Sequence, residues 1–136
     1  MPEGALISHL QMITIYVRDV DRALDFYTTT LGFVKTAEFN DGQGERLVWV
    51  APRPALTADL ATEIALSAPG DKADPRIGAA GGLVFTALDI EATYHELKSR
   101  GVHFVKELIR HPYGKGAGDQ EAQFVDPDSN RFLLHT

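Results

Sequence analysis

The chain has 136 residues, 44% hydrophobic and 24% charged, with a formal net charge of −6. That length allows one domain, or two small halves sharing a core, because neither half alone buries enough surface to fold by itself. An acidic chain without a Lys/Arg cluster is a poor nucleic-acid binder, and the lack of cysteine excludes disulfides, thiolate metal sites and cysteine nucleophiles.

The N-terminus MPEGALISHL has neither a cationic leader nor a long apolar run. Nothing approaches the ~18 apolar residues of a membrane span, so a cytoplasmic protein without a membrane partner is expected. Residues 11–17 alternate and read as a strand, with Ile13, Ile15 and Val17 on one face and Met12, Thr14 and Tyr16 on the other. Asp19 is placed to cap the next helix, whose Val20, Leu24, Tyr27 and Leu31 fall at helical spacing, and Gly32 ends it. Residues 33–39 read as a strand, 40–44 (NDGQG) as its hairpin turn, and 46–51 as the returning strand. A connection with two prolines leads to a short strand over 63–68.

Gly and Pro crowd residues 69–82, which read as a linker. Beyond it the order repeats: a strand over 83–88, a helix over 90–100 with Ile90, Tyr94 and Leu97 inward, then Gly101 and a strand over 102–107. A Gly-rich stretch follows over 111–119, then strands over 121–125 and 131–135 joined by the turn DPDSN. The two helix starts, VRDVDRALDFYTTTLGF and LDIEATYHELKSRGVHF, are degenerate copies. Asp19 and Asp89 are 70 apart (89 − 19), and Gly32 and Gly101 are 69 apart (101 − 32). Each half is therefore βαβββ.

These two motifs, with GDQEAQFVDPDSNRF in the second half, resemble the vicinal-oxygen-chelate superfamily of glyoxalase I, bleomycin-resistance proteins, extradiol dioxygenases and fosfomycin-modifying enzymes. The resemblance runs from about residue 11 to the C-terminus. It implies an α+β fold in which two tandem βαβββ modules, 10–68 and 82–136 joined by linker 69–81, form a curled eight-stranded mixed sheet around a cavity. It also implies a homodimer. Enzymes of that family hold a divalent metal with His, Glu or Gln at four strand positions, which fall here on Met12, Ala65, Leu83 and Leu133. Divalent ions need nitrogen or oxygen donors, which none of these side chains offers. No cofactor is therefore expected. The alternative is a metal-dependent enzyme of the lyase or dioxygenase class using displaced ligands drawn from His9, Gln11, Glu63, Glu121 and His135.

The resemblance places Met12, Thr14, Tyr16, Leu83, Phe85, Arg131 and Leu133 on the cavity wall, joined by Glu121 and Gln123 at alternate positions of one strand. Such a wall suits a small organic ligand, apolar with a few oriented polar groups; the competing expectation is a filled core. Arg131 and Glu121 are candidates for a paired charge, or for anchoring a ligand carboxylate and amine. Trp49 lies on a strand apolar on both faces, with packing or stacking on a planar ligand as its two roles. Tyr113, in the Gly-rich stretch, is a candidate lid contact. Glu121 is an acid/base candidate for a metal-free reaction. GKGAG leads into a strand rather than a helix, so it is no phosphate loop, DPDSN reads as a turn, and His103 and His111 read as surface or loop residues.

Overall fold

A computed structural model of the chain describes residues 4, 6–43, 46–52, 62–111 and 119–136. Strand β1 (Met12–Tyr16) alternates as the sequence dictates, with Ile13 and Ile15 turned to the core. Helix α1 (Val20–Asp25) is capped by Asp19, whose carboxylate accepts from the Asp21 and Arg22 N–H groups. The chain then widens into a π-helix over Phe26–Thr30, where the Leu31 N–H reaches the Phe26 carbonyl at 3.0 Å. Three consecutive threonines explain the change. They are stiff at χ1 and compete for backbone carbonyls, as Thr28 does by donating to the Leu24 carbonyl at 2.7 Å. Strands β2 (Val34–Asn40), β3 (Arg46–Ala51) and β4 (Glu63–Ser67) complete the first module.

The second module repeats the plan: β5 (Leu83–Thr86), α2 (Ile90–Ser99), β6 (His103–Arg110), β7 (Gln120–Val125) and β8 (Arg131–His135). Strand orders are β1-β4-β3-β2 and β5-β8-β7-β6, with β1–β4 and β5–β8 parallel and the other pairs antiparallel. The duplication read from the helix starts thus extends to the topology. The α+β fold of two βαβββ modules is as expected, but among the described residues the eight strands do not make one continuous sheet. There are two four-stranded sheets, and no ladder joins β1 to β5 among the described residues, which leaves both as edge strands. No helix among them is long and apolar enough to cross a membrane.

The modules share a hydrophobic core and a polar hub. Tyr27, fully buried on the π-helix, packs edge-on against Phe132 of β8, and Phe33 packs edge-on against Phe85 of β5. At the hub, in the turn between β7 and β8, the buried Asp126 carboxylate accepts from the Tyr27 hydroxyl at 2.8 Å. It also accepts from the Asn130 side-chain amide and the Asn130 and Asp128 backbone N–H groups, each at 2.9 Å. Asn130 in turn donates to the Tyr16 carbonyl and accepts from the Ala80 N–H. Strand β1, helix, linker and β8 therefore meet at one turn. Burial pushes the Asp126 pKa up against the pull of its donors, and the same burial, reinforced by Asp126, raises that of Tyr27. Two backbones are special here. Ser129 sits at φ +76°, and Gly78 runs so close to the turn that a Cβ would lie 2.1 Å from the Asp128 carbonyl oxygen.

Candidate functional site

Helices cover one face of each sheet and leave the other open. Paired residues of a ladder share a face, so register decides which side chains stand on it. In the first module the pairs Met12–Glu63, Thr14–Ala65 and Tyr16–Ser67, with Trp49–Ala65 and Leu47–Ser67, place these groups on the open face. Trp49 is thereby oriented: its indole N–H points at the Met12 sulfur, 3.3 Å away. The Arg76 guanidinium lies 4.2 Å from the centre of the Tyr16 ring, a cation–π contact at the rim.

In the second module the open face carries Val84 and Thr86 of β5, Arg131, Leu133 and His135 of β8, and Glu121, Gln123 and Val125 of β7. Leu83 and Phe85 do not stand there. They pair with Phe132 and Leu134 and pack into the core, with Phe85 stacked on Phe124 and Phe132. The expected wall is off by one residue at this strand. The 70-residue repeat carries the signal for it, since Thr14 plus 70 is Val84.

Arg131 and Glu121 do not pair either. Glu121 stands opposite His135 in the ladder, while Arg131 stands opposite Val125. Glu121 is instead held by His111 at 2.6 Å, and His135 lies 2.8 Å from Asp119. These two imidazole–carboxylate pairs brace the neck of the β6–β7 connection. In sequence His111 reads as a surface residue, and nothing in the spacing forecasts that the hairpin aims it at Glu121. Tyr113 lies outside the described residues.

Met12 and Thr14 on the first open face, and Val84, Thr86 and Arg131 on the second, all reach solvent. A hollow of about 530 Å³ lies elsewhere, along the free edge of β5, where Leu31 and Phe33 of the first module face Val84–Asp89 and Leu97 of the second.

The four positions where the resemblance implies a metal can now be tested by their donors. Met12, Ala65 and Leu133 are on the open faces, whereas Leu83, the third position, packs against the core. One thioether and three aliphatic groups do not fit a divalent ion. Among the described residues no group of three or more His, Asp or Glu is arranged to hold one.

A family model described as Glyoxalase/Bleomycin resistance protein/Dioxygenase superfamily matches residues 7–134. The chain is 30% identical over 129 residues to the uncharacterized protein YetH of Bacillus subtilis (strain 168), covering 95% of this chain and 98% of YetH. It resembles the crystal structure of a superfamily member from Sphaerobacter thermophilus DSM 20745, with 34% identity, a TM-score of 0.78, and coverage of 96% and 98% of the two chains. It also resembles TnmS3, an antibiotic binding protein from Streptomyces sp. CB03234, with 30% identity, a TM-score of 0.72, and coverage of 97% and 98%. The chain belongs to the Glyoxalase/Bleomycin resistance protein/Dioxygenase superfamily.

Proposed function

We propose that the protein binds a small, partly planar organic compound of antibiotic-like size on the open faces of its sheets, without a metal ion. The observation that carries this reading is the donor set: Met12, Ala65, Leu83 and Leu133, where the resemblance implies metal ligands, offer one thioether and three aliphatic groups. A site of that kind offers apolar contact in place of Lewis-acid chemistry. The antibiotic binding described for TnmS3 supports the same class of ligand. Trp49, Met12, Tyr16 and Leu133 supply area, while Thr14, Gln123, Glu121 and Arg131 supply orientation. Because the faces are open in one chain, a second copy closes the site, which makes the working species a homodimer.

Two measurements test this together. After incubation with Mn²⁺, Ni²⁺, Zn²⁺ or Fe²⁺ and dialysis, elemental analysis finds no stoichiometric ion, and a tightly held divalent ion overturns the reading. Trp49 is the only tryptophan, so titration with a panel of planar polycyclic compounds quenches its emission. Binding also raises the melting temperature, with ligand at 100 times Kd adding about 2.7 kcal/mol. A panel without a single stabilising compound counts against the proposal.

The Glu121–His111 pair favours a second reading. A carboxylate fixed by an imidazole on the open face is suited to proton transfer in a metal-free reaction. Glu121→Gln retaining full turnover of any substrate so found removes it.

A further inference from the structure

The two open faces differ in chemistry. The first carries the rings: Tyr16 and Trp49 beside Met12, and Phe39, which stands opposite Leu47 in the β2–β3 ladder. On the second module Phe85, Phe104, Phe124 and Phe132 all turn into the core, and charged groups take their place on the open side. Register fixes where these stand. Lys106 of β6 is opposite Gln123, Gln123 is opposite Leu133, and Arg131 is opposite Val125 one step along the same strands. Paired residues share a face, so Lys106 joins Arg131 on the open one. Two strand spacings across and two residues along set their Cα atoms roughly 12 Å apart, a span that two long side chains close over Gln123.

Both cations are exposed, and among the described residues neither forms an ion pair. The carboxylates nearest on this module are engaged at the other end of the face, Glu121 by His111 and Asp119 by His135. The rim cation of the first face, Arg76, is likewise held, by Asp74 at 2.9 Å. In a chain of net charge −6, two cations without a carboxylate on one face, with an amide between them, are suited to an anionic group.

We infer that the ligand is an anion, a planar aromatic compound whose carboxylate lies between Lys106 and Arg131 on the second face while its rings stack on Trp49 and Tyr16 of the first. This inference rests on the binding reading of the preceding section and adds to it the charge of the ligand, with Lys106 as a specificity residue. Glu121, bound to His111, does not serve as an anchor for an amine. The group that a cationic ligand would use is Glu63, opposite Met12 on the first face.

Matched triplets on naphthalene, anthracene and pyrene test this: the carboxylate, the carboxamide and the aminomethyl compound of each, followed by Trp49 quenching and calorimetry. The carboxylate is expected to bind about fivefold tighter than the amide at low salt, as two exposed ion pairs provide, and added salt narrows the gap. Lys106→Gln and Arg131→Gln each lower the carboxylate-to-amide ratio about twofold, and the double variant abolishes the preference. Both side chains are exposed, so neither substitution disturbs the core. Equal binding of carboxylate and amide, or a ratio that the double variant leaves unchanged, overturns the inference and leaves the binding proposal standing. Tighter binding of the amine, lost in Glu63→Gln, overturns it as well. Triplets of which no member quenches Trp49 or releases heat remove both.

Discussion

Asp126→Ala tests whether the hub holds the modules together. The substitution strands two donors with nowhere else to go, the Tyr27 hydroxyl and the Asn130 backbone N–H, both in residues with no solvent exposure. The Asn130 side-chain amide keeps the Tyr16 carbonyl at 3.1 Å. At about 1–3 kcal/mol for each buried unsatisfied donor the loss is about 2–6 kcal/mol, and relief from desolvating a carboxylate returns part of it. We expect a net loss of about 3 kcal/mol in urea unfolding near neutral pH. With an unfolding entropy of about 0.29 kcal/mol/K for a chain of this length, that lowers the melting temperature by about 10 °C. A double-mutant cycle identifies the cause. Tyr27→Phe removes the donor that Asp126→Ala strands, so it costs about 1–2 kcal/mol less in that background than in the wild type. A loss below about 1 kcal/mol, or strict additivity, refutes the hub.

The same carboxylate has a pH signature. Burial raises its folded pKa above 3.8, so the folded state holds the proton more tightly than the unfolded chain does. The stabilising contribution of that proton is complete below 3.8 and is lost as pH rises through the folded value. Asp126→Asn cannot titrate, so the advantage of the wild type over this variant shrinks as pH rises from the acid side through that window.

Further expectations follow from single positions. Glu38 has the opposite sign: hydrogen bonds from Arg46 and Lys35 lower its pKa from 4.5 to about 2, so the stability it adds is present above 4.5 and disappears toward pH 2. In acid titrations followed by circular dichroism, Glu38→Gln therefore differs from the wild type near neutrality and converges with it in acid. High salt narrows the difference, because the pair is exposed. Gly78→Ala places a Cβ against the Asp128 carbonyl at positive φ and is expected to cost more than about 3 kcal/mol by strain and clash. Phe85→Ala costs about 3 kcal/mol and Val84→Ala under about 0.5 kcal/mol in denaturant unfolding; equal losses would refute the register assigned to β5.

The contrast at β5 explains what the sequence could and could not convey. In β1 the two faces differ in chemistry: Ile13 and Ile15 against Met12, Thr14 and Tyr16, so alternation alone sets the phase, and the structure keeps it. Strand β5 reads LVFT, three apolar residues in a row, and local pattern cannot decide which of them is inside. Its phase comes from a distant partner, the pairing of Leu83 with Phe132 and Phe85 with Leu134. Helix starts are legible because capping is local: Asp19 and Asp89 bind N–H groups two or three residues on. The π-helix is not legible although the TTT run that causes it is in plain view, because threonines lower helix propensity without dictating which alternative wins.

The hub and the site differ from these cases for one physical reason. DPDSN has the composition of a turn and is one, yet its Asp126 and Asn130 are saturated by groups 50–114 residues away, at Ala80, Tyr27 and Tyr16. Turn propensity explains the bend and is silent about the partners. The candidate site divides along the same line. Residue chemistry alone shows that Met12, Ala65 and Leu133 carry no nitrogen or oxygen donor, whichever strand faces which. Whether their faces enclose a ligand depends on how one sheet is set against another, and within the described residues the two sheets leave β1 and β5 at their edges. On the proposed reading, the open faces of one chain form half of a site. A ligand pocket built from such halves gains affinity only when the copies associate, so ligand affinity and dimer affinity must rise together by linkage. Measuring the dimer dissociation constant with and without a quenching ligand is therefore the sharpest joint test, and equal values in the two conditions would separate binding from assembly.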